Sequence, residues 1–215
     1  MNTEARLKET IDTYNKAAKR YQEKFMKMDL YNDTFDNFCS LIEKEGASIF
    51  EIATGPGNIT EYLNSKRPDF KIFGIDLAPN MVELARINNP QSEFKVMDCK
   101  EIRSIDKKFD GVMCGFCAPY LSKEELKTLI EDSSRLLVPS GVFYMSTMED
   151  DYNKSGFETT SFSANNRVYI YYHQAGYITE CLKDSDFEIV DIQRKNYPER
   201  DGAFLTDLII IAKKK

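Results

Sequence analysis

The chain predicts an α/β fold: a mostly parallel sheet of seven strands, helices on both faces, an antiparallel last strand and a helical N-terminal extension. Three observations predict it. From residue 47 onward, apolar runs of strand length alternate with amphipathic stretches. Such alternation implies right-handed crossovers and a parallel sheet covered on both faces. The last two strand candidates, 187–197 and 204–215, are separated only by PERDGA. A link that short makes a hairpin, not a crossover. Before residue 46, apolar residues recur only at helical spacing.

Taken in order, Leu7, Ile11, Tyr14, Ala18, Tyr21, Phe25 and Met28 recur at steps of three and four. They mark one face of a helix over 3–28. Tyr31, Phe35, Phe38 and Ile42 mark a second helix, which Gly46 stops. ASIFEIA (47–53) is the first buried strand and ITEYLNSKR (59–67) the helix after it. FKIFGID (70–76) is a strand, and PNMVELARIN (79–88) a helix opened by Pro79. SEFKVMD (92–98) and FDGVMCGF (109–116) are strands. The helix over 122–137 starts with a capping box, Ser122 with Glu125. GVFYMSTM (141–148) is a strand, and 174–186 a helix before the closing hairpin. Residues 148–174 break the alternation with tyrosines among polar residues. They form an insertion over one edge of the sheet, with a strand at 166–172.

At 215 residues the chain fits one domain, and 42% apolar residues suffice for a core. The formal charge is −6 and no dense Lys/Arg stripe precedes the terminal KKK, which reads as a solvated tail. A nucleic-acid partner is therefore disfavoured. No apolar run approaches the ~20 residues of a membrane span, and the polar start MNTEARLKETID carries no secretory h-region. Five cysteines, an odd number, suit the reducing cytoplasm.

The turn Gly55-Pro56-Gly57-Asn58-Ile59-Thr60 follows the first strand. It lacks the third glycine of a nicotinamide-binding G-x-G-x-x-G and the lysine of a phosphate loop. Taken alone, it is as well read as a strand-to-helix turn that needs glycine for backbone freedom. It does not stand alone. Strand two ends in Gly74-Ile75-Asp76-Leu77, strand three in Met97-Asp98-Cys99, and strand four in Cys114-Gly115-Phe116. All lie at carboxyl ends, where open parallel sheets bind ligands. An acid after strand two is placed to accept from a ribose diol. One after strand three can reach an adenine amine.

These motifs resemble the class I S-adenosylmethionine-dependent methyltransferases of small-molecule type, whose sheet is Rossmann-like. The resemblance covers roughly residues 45–214. It rests on E-x-A-x-G-x-G (Glu51 to Gly57), GIDLAPNMVELAR (74–86), VMDCKEI (96–102), FDGVMCGF (109–116) and RLLVPSGVFYMS (135–146), with the closing hairpin. It implies S-adenosylmethionine as cofactor, held by the loop Ala53, Thr54, Gly55 and Gly57 with Glu51 beneath. It implies that Asp76 accepts from both ribose hydroxyls, that Leu77 and Met81 pack on the adenine, and that Asp98 and Cys99 meet its edge. Cys114 and Gly115 would line the methionine side. Tyr14 and Tyr21 lie on residues 1–45, a helical lid in many relatives. The family usually has glycine where Ala53 stands, so its methyl is a departure that can crowd the cofactor or shift the loop. The implied activity is methyl transfer to a small-molecule N, O, S or C nucleophile by in-line displacement. The alternative is a binder of the same cofactor that does not catalyse.

Three further features carry two readings each. Cys114-Gly-Phe-Cys117 has the spacing of a redox pair, or packs as a strand end beside the cofactor. His173, the one histidine, is a candidate general base or a structural residue. Glu149, Asp150 and Asp151 form a solvated turn or recognise a cationic acceptor. Of the tyrosines at 169, 171 and 172, alternation along a strand would put one face in the core and the other on an acceptor pocket.

Overall fold

In the computed structural model, residues 3–160, 162–163, 166–198 and 204–215 are described. Helices α1 (Thr3–Phe25) and α2 (Asn32–Ser40) precede strand β1 (Ser48–Ile52). Then come α3 (Asn58–Lys66), β2 (Lys71–Asp76), α4 (Pro79–Asn88), β3 (Glu93–Val96) and β4 (Phe109–Cys114). The chain continues through α5 (Lys123–Leu136), β5 (Leu137–Met148), β6 (Gly156–Thr159) and β7 (Arg167–Ile170). Helix α6 (Ala175–Asp184) leads to β8 (Phe187–Pro198) and β9 (Phe204–Lys214).

Seven strands form one sheet in the order β3-β2-β1-β4-β5-β9-β8. β3, β2, β1, β4 and β5 pair parallel; β9 inserts antiparallel between β5 and β8. This is the Rossmann-like sheet expected, with its antiparallel last strand. The order reverses between β1 and β4, and the carboxyl ends there open the crevice in which such sheets bind ligands.

Burial explains the layers. Phe38, Ile49, Leu63 and Tyr144 build the core on the α2 and α3 face. Phe50, Val112, Phe143 and Ile178 build it on the α5 and α6 face. β1 is buried on both sides because both sides are covered. The α5 capping box is present: Glu125 N donates to Ser122 Oγ at 3.3 Å, and Ser122 N to Glu125 Oε2 at 2.9 Å.

Several boundaries differ from the sequence reading. α1 and α2 stop at Phe25 and Ser40, short of Met28 and Ile42. β5 starts at Leu137, because Leu137 pairs with Phe109 before a register shift, with Ser140 at φ 61°. The insertion holds a two-stranded antiparallel hairpin, β6 with β7, shorter than 166–172. Helix α1 crosses the carboxyl edge, fastened at both sides. Asn80 N donates to Asn15 Oδ1 at 3.0 Å, and Thr13 Oγ1 to the Arg167 carbonyl at 2.9 Å.

Candidate functional site

The loop after β1 makes the floor of the site. Ala53, Gly55 and Gly57 all take left-handed backbone, at φ 58°, 55° and 82°. The two glycines need this for different reasons. A Cβ on Gly57 would lie 2.4 Å from Asn89 Nδ2 and 3.2 Å from Ala85 Cα, so α4 packs directly on the loop. A Cβ on Gly55 would meet nothing nearer than 3.8 Å, where the Tyr21 ring lies above it. Gly55 is therefore open to a ligand and Gly57 is not. Alanine at a left-handed position is disfavoured by roughly 1–2 kcal/mol, which is the physical reason glycine is expected where Ala53 stands.

Asp76, at the end of β2, fastens this loop to the next turn. Its Oδ2 accepts from Gly55 N at 2.9 Å and its Oδ1 from Ala78 N at 2.8 Å. Burial raises its pKa, and these amide bonds oppose the rise. Each oxygen keeps a second lone pair for a ligand. Glu51 lies beneath, 1% exposed, accepting from Thr60 Oγ1. Burial pushes its carboxyl up to about 7. Asp98 accepts from Lys100 N at 2.9 Å and so caps the short 3-10 turn Cys99–Ser104. Lys100 Nζ reaches Glu125 at 3.3 Å.

A cavity of about 150 Å³ opens along this edge. Ala53, Gly55, Asp76, Leu77, Met81, Asp98, Cys99 and Gly115 line it, with Tyr14 and Tyr21 from α1 above. Four expected residues do not reach it. Glu51, Thr54 and Gly57 support the loop from below or behind. Cys114 is fully buried and packs in the core under the sheet, which corrects its placement on the methionine side.

His173 is likewise not in the cavity lining. Its ring is fully buried, and Nε2 lies 3.2 Å from the Ala118 carbonyl and 3.0 Å from that of Leu121. Burial lowers its pKa. It holds the turn after β4 in place, and the general-base expectation is corrected to this positioning role by the geometry.

The redox reading of Cys114 and Cys117 also gives way. All five cysteines are free thiols. Cys117 is raised well above the ordinary range, first by its contact with Cys114 and then by burial, the opposite of an activated thiol. Of the acidic run, Glu149 pairs with Arg194 at 2.5 Å and accepts from Ala175 N at 3.1 Å, Asp150 pairs with Lys154 at 2.8 Å, and Asp151 accepts from Asn153 N at 3.0 Å. The run is a structured turn.

The strand alternation in the insertion is present. Val168, Ile170 and Tyr172 form one apolar cluster, while Tyr169 and Tyr171 line the cavity. Sequence reasoning missed Arg6 and Tyr120, which also line it; Phe116 and Cys117, noted at the end of strand four, join them. Phe116 stands at φ 55°, its N–H donating to Ser146 Oγ at 3.0 Å. A bulky residue at positive φ beside a cavity is strain held by its surroundings. The Tyr14 and Tyr120 hydroxyls share a hydrogen bond across the cavity. Burial pushes Tyr120 up to about 12.

The strand order is that of the Rossmann-like sheet of solved S-adenosylmethionine-dependent methyltransferases, and the cavity lies at its switch point. The family model of the methyltransferase domain matches residues 49–141. The chain is 30% identical over 100 residues to a methyltransferase of invertebrate iridescent virus 6, covering 44% of this chain and 37% of that protein. It thus spans well under half the length of the curated relatives it matches first. Among solved structures, it resembles 1,6-didemethyltoxoflavin N1-methyltransferase of Burkholderia thailandensis, crystallised with S-adenosylhomocysteine. The TM-score is 0.72 at 18% identity, over 100% of this chain and 91% of that one. A [4+2]-cyclase matches with a TM-score of 0.63 at 15% identity, over 85% of this chain and 81% of that one. At such identities the likeness shows the fold alone. No helix among the described residues is long and apolar enough to cross a membrane.

Proposed function

We propose that this chain transfers a methyl group from S-adenosylmethionine to a small-molecule acceptor. The observation that carries the reading is one continuous cavity that joins the open Gly55 backbone, the Asp76 carboxylate and the aromatic wall of the insertion. The lining fits the cofactor. Asp76 offers acceptor lone pairs to a ribose diol, Leu77 and Met81 offer an apolar wall to adenine, and Asp98 and Cys99 lie at its edge. Gly55, Tyr14 and Tyr21 surround the remaining, methionine side. When bound, the cofactor supplies a methyl group on a sulfonium, an electrophile whose leaving group needs no acid.

The protein's own work is then to align the partners and keep them dry. Helix α1 does this as a lid across the cavity, pinned to α4 through Asn15 and to β7 through Thr10 and Thr13. Tyr169 and Tyr171 of the insertion close the acceptor end. We read residues 1–215 as one such domain, acting in the cytoplasm, with no nucleic-acid partner.

A second reading, a binder that does not methylate, is favoured by Ala53 at φ 58° in the cavity wall. The cyclase likeness adds that this fold can serve other chemistry. Turnover against a panel of amines, phenols, thiols and carboxylates separates the two. Methylated product supports transfer; tight S-adenosylhomocysteine binding with no product across the panel supports the binder.

A further inference from the structure

The charged groups that line the cavity are satisfied within the protein, with one exception. Asp76 accepts from two backbone amides, Asp98 caps a 3-10 turn, and Lys100 pairs with Glu125 at 3.3 Å. Arg6 has no such partner. Its buried Nε meets no acceptor, and no carboxylate or carbonyl among the described residues bonds to its guanidinium. The nearby Glu9 is committed elsewhere, to Arg167 at 2.7 Å.

What holds Arg6 is an aromatic face. Its Cζ stands 4.3 Å from the centre of the Tyr169 ring. The ring attracts the cation through its π face and leaves the N–H donors without a protein acceptor among the described residues. The ring itself is fixed. Tyr169 N donates to Thr10 Oγ1 at 3.2 Å, and the Tyr171 ring lies 4.8 Å away, its N–H donating to the Pro119 carbonyl at 2.7 Å. A buried N–H without an acceptor, as at Arg6 Nε, is costly unless a ligand supplies one.

We propose that Arg6 and the Tyr169–Tyr171 rings form an acceptor subsite for the carboxylate of a planar, aromatic acid; the proposal rests on the methyl-transfer reading. The planar fork matches a carboxylate bidentately. A monoanion is favoured over a phosphate dianion because Asp76, Asp98 and Glu125 already line the same cavity. Arg6 lies two helical turns before Tyr14, roughly 12 Å along α1. The carboxylate therefore anchors the far end of the acceptor and is not the atom methylated.

The test is calorimetry with four probes, 4-hydroxycinnamate and indole-3-acetate with their uncharged amides, in the presence and absence of S-adenosylhomocysteine. At least one acid should bind the wild-type protein about tenfold or more tighter than its amide. Arg6→Gln should abolish that preference, Arg6→Lys should retain part of it, and S-adenosylhomocysteine affinity should stay within about twofold in both. The proposal is overturned if acid and amide bind alike, if no probe binds, or if Arg6→Gln keeps the preference. It is also overturned if Arg6→Gln weakens S-adenosylhomocysteine instead, since Arg6 would then belong to the cofactor. Failure of the wild type to bind S-adenosylhomocysteine would count against methyl transfer, while the arm without it still decides the carboxylate.

Discussion

Gly55 and Gly57 sit two residues apart in one loop, yet alanine should affect them unequally. Both have positive φ, so each substitution costs roughly 1 kcal/mol or somewhat more from the backbone alone. At Gly57 the new methyl also lands 2.4 Å from Asn89 Nδ2 and 3.2 Å from the α4 backbone at Ala85. The amide can turn aside only by giving up its 3.0 Å bond to the Gly57 carbonyl, and the helix cannot. Overpacking of this kind adds about 1–3 kcal/mol, for a total near 3 kcal/mol. For a chain of this size that is a fall of about 6–12 °C in Tm, against about 2–4 °C for Gly55→Ala. Binding should order the other way. The methyl of Gly55→Ala projects beside Tyr21 into the cavity, so S-adenosylhomocysteine affinity should fall although stability barely does. Thermal melting and calorimetry on both variants read the two effects. Equal Tm losses, or a Gly55→Ala protein with unaltered affinity, would refute the division of the loop into an open and a packed glycine.

Ala53→Gly removes a left-handed alanine at φ 58° but frees the unfolded chain, so its net effect should be a gain of under about 1 kcal/mol. Urea denaturation measures it, and a clear loss of stability would contradict the strain assigned there. Burial raises the Glu51 carboxyl to about 7 in the folded state, from an ordinary 4.5. Between these values the unfolded chain gives up its proton first, so stability contributed by the protonated acid is present below the lower value and lost as pH rises through about 7. Glu51→Gln should flatten that fall in a pH series of melting curves; an unchanged slope would show that Glu51 is not its source. Asp207, raised by burial to about 6, tilts the curve the same way and should leave a residual slope.

The sheet was legible because each buried strand is a short apolar run bounded by its own turn, and because PERDGA is too short to cross over. The floor of the site was legible for the same reason: Gly55, Asp76 and Asp98 all follow strands. What Asp76 does for the loop was not, since an acid that bonds the amide of Gly55 and one awaiting a ribose have the same sequence. His173 and Cys114 show the converse. Polar or reactive residue types near strand ends invite a chemical role, and only burial reveals that both face inward. Arg6 carries no such signal in the sequence, because its contact with Tyr169 joins residues far apart in the chain. The GFET of β6 is too short for alternation to show.

The central claim is that the cavity at the β1/β4 switch holds S-adenosylmethionine. Titrating S-adenosylhomocysteine into the wild-type protein and into Asp76→Ala by calorimetry tests it most directly. The account predicts saturable binding to the wild type and affinity more than about tenfold weaker in a folded Asp76→Ala. No binding to the wild type, equal affinity in the two proteins, or a melting midpoint raised by NADH alone would contradict it.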